Sequence, residues 1–394
     1  MNNGSAKNQI KELLSLALIC LLLSCNEKIP IVKISAENDL IWKEKLPCEI
    51  NIQKPNKTAK HYTAFVKFRG GSSAQFNKHS LTVEFDKKLS LGEFEKDDDW
   101  IFNASYIDKT FMRHKICSDL FLQMHPENKA SHSSYIELYL NDVYQGLYLV
   151  QEEINAGNLK IDKGDSLAML FKDPPLFFEE RIPYPQDSSS YFQQKFPKKK
   201  ERDQTYYIES FKEFLFCGND SIFELKIKEW IDIRNVIDWH LLLLLTNNSD
   251  GIMKNFYLYK LDAKTPFRIA IWDYDHSFGR DGDNEMNLLD REVDCTRSIL
   301  LKRLLTLDSY QLALKNRWIE LSSEGLFSLD NLQKKIKENR KIILPYLKEN
   351  SEIWPLNGAE YHDANTFNQE IEIMEKYLEL RFNQLNRKFE YHQN

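Results

Sequence analysis

Asp250-Gly-Ile-Met-Lys-Asn255, Phe256-Tyr-Leu-Tyr-Lys260, Leu261-Asp-Ala-Lys-Thr-Pro266, Phe267-Arg-Ile-Ala-Ile-Trp272 and Asp273-Tyr-Asp275-His-Ser-Phe-Gly279 run consecutively and decide how the chain is read. Residues 255–260 alternate like a strand, 261–266 carry turn chemistry, and 267–272 read as the returning strand. A hairpin brings its ends together, so Asp250, Asn255 and Asp273 are expected to share one pocket. An acid, an amide five residues on and a later acidic cluster suit phosphoryl transfer. In such sites one Asp accepts a hydroxyl proton, an Asn holds one Mg²⁺, and a later Asp holds the metal that bridges the phosphates. Asp273 and Asp275 both offer hard oxygen ligands. Asp273, directly after the strand, is preferred as ligand, and Asp275 is otherwise a hydrogen-bonding support for the turn. The plain alternative for Asp250 is a helix-ending turn, since Asn247-Asn-Ser-Asp-Gly251 has good turn chemistry.

Outward from this stretch, residues 232–248 predict a strongly apolar helix whose end delivers Asp250. Shorter amphipathic segments precede it at 207–217 and 221–229, and helices are expected at 296–323, 328–349 and 365–390. Upstream the pattern changes. Thr63–Phe68 and Ser80–Phe85 alternate as strands around Arg69-Gly70-Gly71-Ser72-Ser73. Residues 108–124 read as a helix with Asp108 as N-cap. Tyr135–Leu140 and Tyr144–Val150 flank Asn141-Asp142, a hairpin signal. The fold class is therefore α+β, with a sheet-rich N-terminal half and a helix-rich C-terminal half. The expected division is 25–60 as tether and leading edge segment, 61–172 as N-terminal lobe, 173–206 as loop or insertion, and 207–394 as C-terminal lobe.

The chain has 394 residues, enough for two lobes, with 12% aromatic content that argues against disorder. Net charge is −6, and no basic block extends beyond Lys198–Arg202, so no nucleic-acid partner is expected. Lys7 and Lys11 precede an apolar run, Leu13–Leu23, too short to span a bilayer as a mature helix. Residues 1–24 are thus expected to be a signal peptide. Leu22-Leu-Ser-Cys25 resembles a bacterial lipobox, which implies lipid on Cys25, a membrane anchor, and a periplasmic or cell-surface location. An ordinary signal peptide or an uncleaved anchor is the alternative. Cys48, Cys117, Cys217 and Cys295 show no CxxC spacing, so a zinc site is not expected, and their pairing stays open.

Several landmarks in order resemble the CotH family of atypical kinases, from about Tyr62 to the C-terminus. They are Arg69-Gly-Gly-Ser-Ser73 with Lys78-His-Ser80, Asp108-Lys-Thr-Phe-Met-Arg113, Tyr139 to Glu153, Phe196-Pro-Lys198, Asp250…Asn255, and Trp272-Asp-Tyr-Asp275…Phe278-Gly279. The chain departs from that pattern at Gly71, His79 and Asp142. The resemblance implies a bilobal kinase-like fold and an ATP- and Mg²⁺-dependent transfer of the γ-phosphoryl group to Ser or Thr of a secreted or surface protein. Asp250 would be the catalytic base, and Asn255, Asp273 and Asp275 the metal ligands. Arg69, Gly70, Ser72, Lys78 and Glu153 would line the nucleotide. Lys78, which follows the glycine-serine loop, reads equally as a surface lysine, and Lys172 rivals it for the phosphate role. Glu153 reads equally as a surface charge at a strand end, and Arg113 as a structural ion-pair residue. The alternative for the whole chain is a non-catalytic kinase-fold lipoprotein acting in binding or adhesion.

Overall fold

The computed structural model describes residues 28–91, 94, 96–178, 193–280, 293–355 and 364–390. The first five strands are β1 (Ile31–Ala36), β2 (Leu46–Gln53), β3 (Lys60–Arg69), β4 (Ser80–Leu89) and β5 (Asp97–Asn103). Helix α1 (Arg113–Met124), the short β6 (Lys129–Ala130), β7 (Ser133–Leu140) and β8 (Val143–Glu152) follow. Seven of these strands close a barrel in the order β1-β2-β3-β4-β5-β8-β7. Every second side chain points inward, as the pleat demands. Val32, Ile50, Val66, Val83, Trp100, Leu138 and Val150 thereby share one buried core. At the β7–β8 turn Asn141 and Asp142 adopt φ of 49° and 62°, the left-handed pair that suits the strand twist of a two-residue hairpin.

Barrel closure corrects the reading of 25–60. Residues 31–53 supply two barrel strands, and the seam is β1 in parallel with β7, from Ile31↔Glu137 to Ile34↔Leu140. Pro47 stands inside β2. It lies one residue past the last β1 partner of β2, Cys48↔Ala36, so its missing N–H leaves no ladder bond unmade on that side.

The rest of the chain comprises β9 (Met169–Lys172), β10 (Gln193–Phe196), α2 (Thr205–Leu215), α3 (Asp220–Trp230), α4 (Ile233–Thr246), β11 (Phe256–Lys260) and β12 (Arg268–Ile271). The helices α5 (Ile299–Leu304), α6 (Asp308–Ser323), α7 (Leu329–Ile343), α8 (Leu347–Ile353) and α9 (Phe367–Lys388) complete it. A second sheet runs β10-β9-β11-β12-β6. Thus β9, expected in the N-terminal lobe, pairs instead with β11, through Tyr257↔Lys172 and Leu258↔Phe171. One face of this sheet (Phe171, Phe256, Leu258, Ile269) packs on the helices around α4. The other carries Leu170, Tyr257, Tyr259 and Ala270.

The expected helix at 108–124 begins at Arg113 because Asp108 reaches forward: its carboxylate accepts the Arg113 N–H at 2.9 Å and the Thr110 N–H at 3.0 Å. Helix 296–323 is two helices, α5 and α6. Among the described residues no helix is long and apolar enough to cross a membrane, and Cys48, Cys117, Cys217 and Cys295 form no disulfide. Residues 1–27, including Cys25, lie outside the described residues.

Candidate active site

Helix α4 is buried along almost its whole length, and its end sets the position of Asp250. The last carbonyls of a helix need partners from outside it. Two come from α9: Arg381 Nε donates to the Leu244 carbonyl at 2.6 Å, and Tyr377 Oη to the Leu245 carbonyl at 3.0 Å. Asn247 then turns the chain in the left-handed region, φ 55°. Asn248 Oδ1 accepts the Gly251 N–H at 2.6 Å, which closes the short 3₁₀ turn Asp250–Ile252. One Asp250 carboxylate oxygen meets Lys254 Nζ at 3.1 Å.

The hairpin β11–β12 closes on itself as anticipated, with Phe256 opposite Ile271. At its open end Trp272 N–H donates to the Asn255 carbonyl at 3.2 Å, and Asn255 Nδ2 donates to the Asp273 carbonyl at 3.0 Å. Asn255 and Asp273 both hold positive φ, 62° and 61°. Such conformations cost little for Asx residues but gather where side chains must be aimed. With its NH₂ committed to Asp273, Asn255 could meet a cation only through its side-chain oxygen. Tyr274 goes into the core, its N–H donating to His114 Nδ1 at 3.0 Å, while Asp273 and Asp275 line the cleft. Burial, then the Asp275 charge, pushes the Asp273 carboxyl up from its usual range, against the opposing pull of His276, Lys172 and Arg69. Burial likewise raises Asp275.

Asp173 was missed by sequence reasoning. Directly after Lys172 and at φ 46°, it clasps β11: its N–H donates to the Phe256 carbonyl at 3.0 Å, and its Oδ1 accepts the Phe256 N–H at 3.1 Å. Burial lifts its pKa to about 6, despite Lys172. No local pattern marks it. Only the β9–β11 pairing brings it to Asn255.

All these acids line one cleft of about 1700 Å³ between the outer barrel wall and the second sheet. Arg69, Gly70, Lys78 and Glu153 line it too. The Trp272 ring carries two cations, Lys172 Nζ at 4.1 Å and the Arg69 guanidinium at 5.8 Å from its centroid. Gly70 takes φ 155° where a Cβ would stand 2.6 Å from Ser73 Oγ. Ser72 opens a 3₁₀ turn, and its side chain lies outside the described residues. Glu153 faces Lys195 at 3.8 Å.

Lys78 behaves differently from the expectation of a phosphate lysine. It is 2% exposed, and its ammonium donates to the Leu147 carbonyl and to Asn350 Oδ1, with the Tyr148 ring 4.4 Å away. Its donors are committed to the joint between barrel and α8. Gly146 allows that joint, since a Cβ there would collide with Asn350 Oδ1. Lys172, the rival, sits among Asp173, Arg69 and Asp273.

Behind the acids lies a buried charge network. Arg113 pairs with Asp108 at 2.7 Å and with Glu370 of α9 at 2.9 Å, and its Nε donates to the Ser277 carbonyl at 2.9 Å. Glu370 also pairs with Arg280. Burial alone would raise the Glu370 pKa, but the Arg280 bond and the Arg113 charge outweigh it and hold the carboxyl low. Arg113 thus has the structural role, clamping the Asp275–Phe278 turn.

His114 is held neutral, its pKa pulled down by burial from 6.5 to about 4. The folded state resists a proton that the unfolded chain accepts below about pH 6.5. His114 therefore contributes stability that is intact at pH 7 and is lost as pH falls from about 6.5 to about 4, on the order of 3 kcal/mol. The urea midpoint is expected to fall over that window, and a His114→Gln protein to lose much of this pH dependence. A flat midpoint between pH 7 and 4 would count against it.

The oxygen-only donor set of Asn255, Asp273 and Asp275 suits a hard divalent cation such as Mg²⁺, and a cation would offset the burial that raises both carboxyls. Among the described residues no group of three His, Cys, Asp or Glu is placed to hold a metal ion, so a cation site here would need the Asn255 amide beside the two carboxylates.

Comparison with known proteins places the chain in a family. The family described as CotH kinase protein matches residues 66–385, a span that contains Arg69, Lys172, Asp250, Asn255, Asp273 and Glu370. The inner spore coat protein H of Bacillus subtilis (strain 168) is 21% identical over 318 residues, covering 80% of this chain and 84% of that protein. On a family match that spans most of its length, this chain belongs to the CotH kinase family.

Proposed function

We propose that this chain is an exported protein kinase that transfers the γ-phosphoryl group of ATP to Ser or Thr of a secreted or surface protein, with Mg²⁺. The observation that carries the reading is the convergence of Asp250 and both ends of the β11–β12 hairpin on one cleft that also holds Lys172 and Arg69. In this reading the barrel and the helical half act as the two lobes of a kinase.

Asp250 keeps one carboxylate oxygen against Lys254 and offers the other to the acceptor hydroxyl, whose proton it takes. Arg69 and Lys172 neutralise phosphate oxygens, the guanidinium through its planar fork. Trp272 holds both cations in place, and Gly70 lets the backbone approach the phosphates. Asn255, Asp273 and Asp275 would hold Mg²⁺, which supplies neutralisation of the charge that develops on the transferred group. Asp173 keeps β9 and β11 in register beside them. Export, lipid on Cys25 and a membrane-anchored periplasmic or cell-surface location are part of the proposal, supported by the apolar run Leu13–Leu23 and Ser24-Cys25.

Calorimetric titration with ATP tests the site. Binding is expected only with MgCl₂ present; no heat at millimolar Mg·ATP would reject the reading. Lys172→Met is expected to weaken binding by about tenfold, the value of one charge-assisted contact. Lys78→Met is expected to change it by less than about twofold, because the Lys78 donors are already engaged inside the protein. The reverse ranking would return the phosphate role to Lys78.

A further inference from the structure

One polar group on the cleft wall has no use in the account above. Gln151 lines the cleft and is 4% exposed, yet its Nε2 is buried with no hydrogen-bond partner. A buried amide donor left unpaired is costly, and an orphan of this kind in a cleft points to something that binds there. The neighbouring strands do not answer it. In register Gln151 lies between Ile101 of β5 and Ser133 of β7, and the Ser133 hydroxyl is itself buried without a partner.

Its position narrows the ligand. Gln151 is the penultimate residue of β8, and the chain then passes from the barrel wall to the second sheet. The cleft lining includes the apolar groups Ile101, the register partner of Gln151 on β5, and Leu170 and Tyr257 of the second sheet, beside polar groups such as Asn103 and Glu153. Leu170 and Lys172 project from the same face of β9 two residues apart, about 7 Å along a strand. Apolar groups, one convergent amide, and a phosphate-binding cation one strand step away fit a purine nucleotide lying with its base against those groups.

We propose that Gln151 is the residue that reads the base of the nucleotide, its carboxamide meeting the hydrogen-bonding edge of adenine. An amide matches an adjacent acceptor and amino donor on that edge with both of its own ends. The inference rests on the nucleotide reading of the site and adds to it a specificity-determining contact.

The test compares Mg·ATP with Mg·tripolyphosphate, which has no base, on the wild-type protein and on Gln151→Met, a change of similar volume. In wild type the base is expected to strengthen binding. Gln151→Met is expected to weaken ATP binding by about tenfold and to leave tripolyphosphate unchanged. Its melting temperature without ligand is expected to hold or rise, because the orphaned amide is gone. Equal loss for both ligands, unchanged ATP affinity, or a lower melting temperature with ATP affinity intact would each overturn the assignment. Gln151→Glu supplies a second variant: an acceptor-only group there is expected to lose ATP affinity as well, and full retention would also overturn it. If wild type binds tripolyphosphate and gains nothing from the base, Gln151 is wrongly assigned while the phosphate site stands. If wild type binds neither ligand, the kinase reading fails and takes this inference with it.

Discussion

Asp250→Asn is expected to lower phosphoryl transfer by about 10²–10⁴-fold, the range for loss of a positioned general base. The same protein should bind Mg·ATP almost as well as wild type. Asp250 stands on the 3₁₀ turn after α4, whereas the proposed metal ligands stand at the open end of the hairpin. The amide keeps the size of the side chain and loses only its ability to take the proton. The lost pairing with Lys254 matters little, since that lysine is more than half exposed and such pairs contribute at most about 1 kcal/mol. Transfer is measured as incorporation of labelled phosphate into the protein itself. Asp273→Asn serves as the contrast, because it is expected to remove Mg²⁺-dependent ATP binding as well as transfer. If Asp250→Asn retains wild-type incorporation, Asp250 is a turn residue and the base lies elsewhere.

Glu370→Ala is expected to destabilise the protein by about 3–5 kcal/mol, the usual cost of removing one partner from a buried ionic network. Glu370 is 1% exposed and accepts from both Arg113 and Arg280. Without it Arg113 retains Asp108, but Arg280 loses this carboxylate in a dry setting. The damage should reach the site, since Arg113 also holds the Ser277 carbonyl two residues after Asp275. Glu370→Gln keeps a hydrogen-bonding side chain while removing the charge, so an intermediate loss is expected. Urea denaturation of the three proteins measures this. A loss below about 1 kcal/mol for the alanine protein would mean that the network relaxes onto other partners or water.

Much of the local architecture was legible because it is written in short-range periodicity. The alternation of Phe256–Lys260, the turn at Leu261–Pro266 and the return through Ile271 appear as an antiparallel pair. The apolar run before Asp250 is a helix within two residues of the expected span. Asn141-Asp142 forms the left-handed turn that its composition favours. Asn255 and Asp273, at the two ends of the hairpin, meet because antiparallel pairing brings those ends together. Readings failed where the partner lay far away. Residues 31–53 resemble a polar lead-in until β1 finds β7, about a hundred residues on. Asp108 looks like an N-cap and instead reaches five residues forward to Arg113.

By itself, then, the amino-acid sequence determined the α+β class, the hairpin, the helix that carries Asp250 and the family to which the chain belongs. Each of these is encoded in contacts between residues near in sequence or in the order of short motifs. Only the tertiary structure decided that the sheet closes into a barrel, that Lys78 is spent inside a joint with Asn350 while Lys172 stands beside Asp273, and that Asp173 and Gln151 face the cleft. A strand's alternation says that a side chain points to one of two faces. Which face becomes cleft and which becomes core depends on the sheet or helix packed against it, and that is settled by burial over long sequence separations.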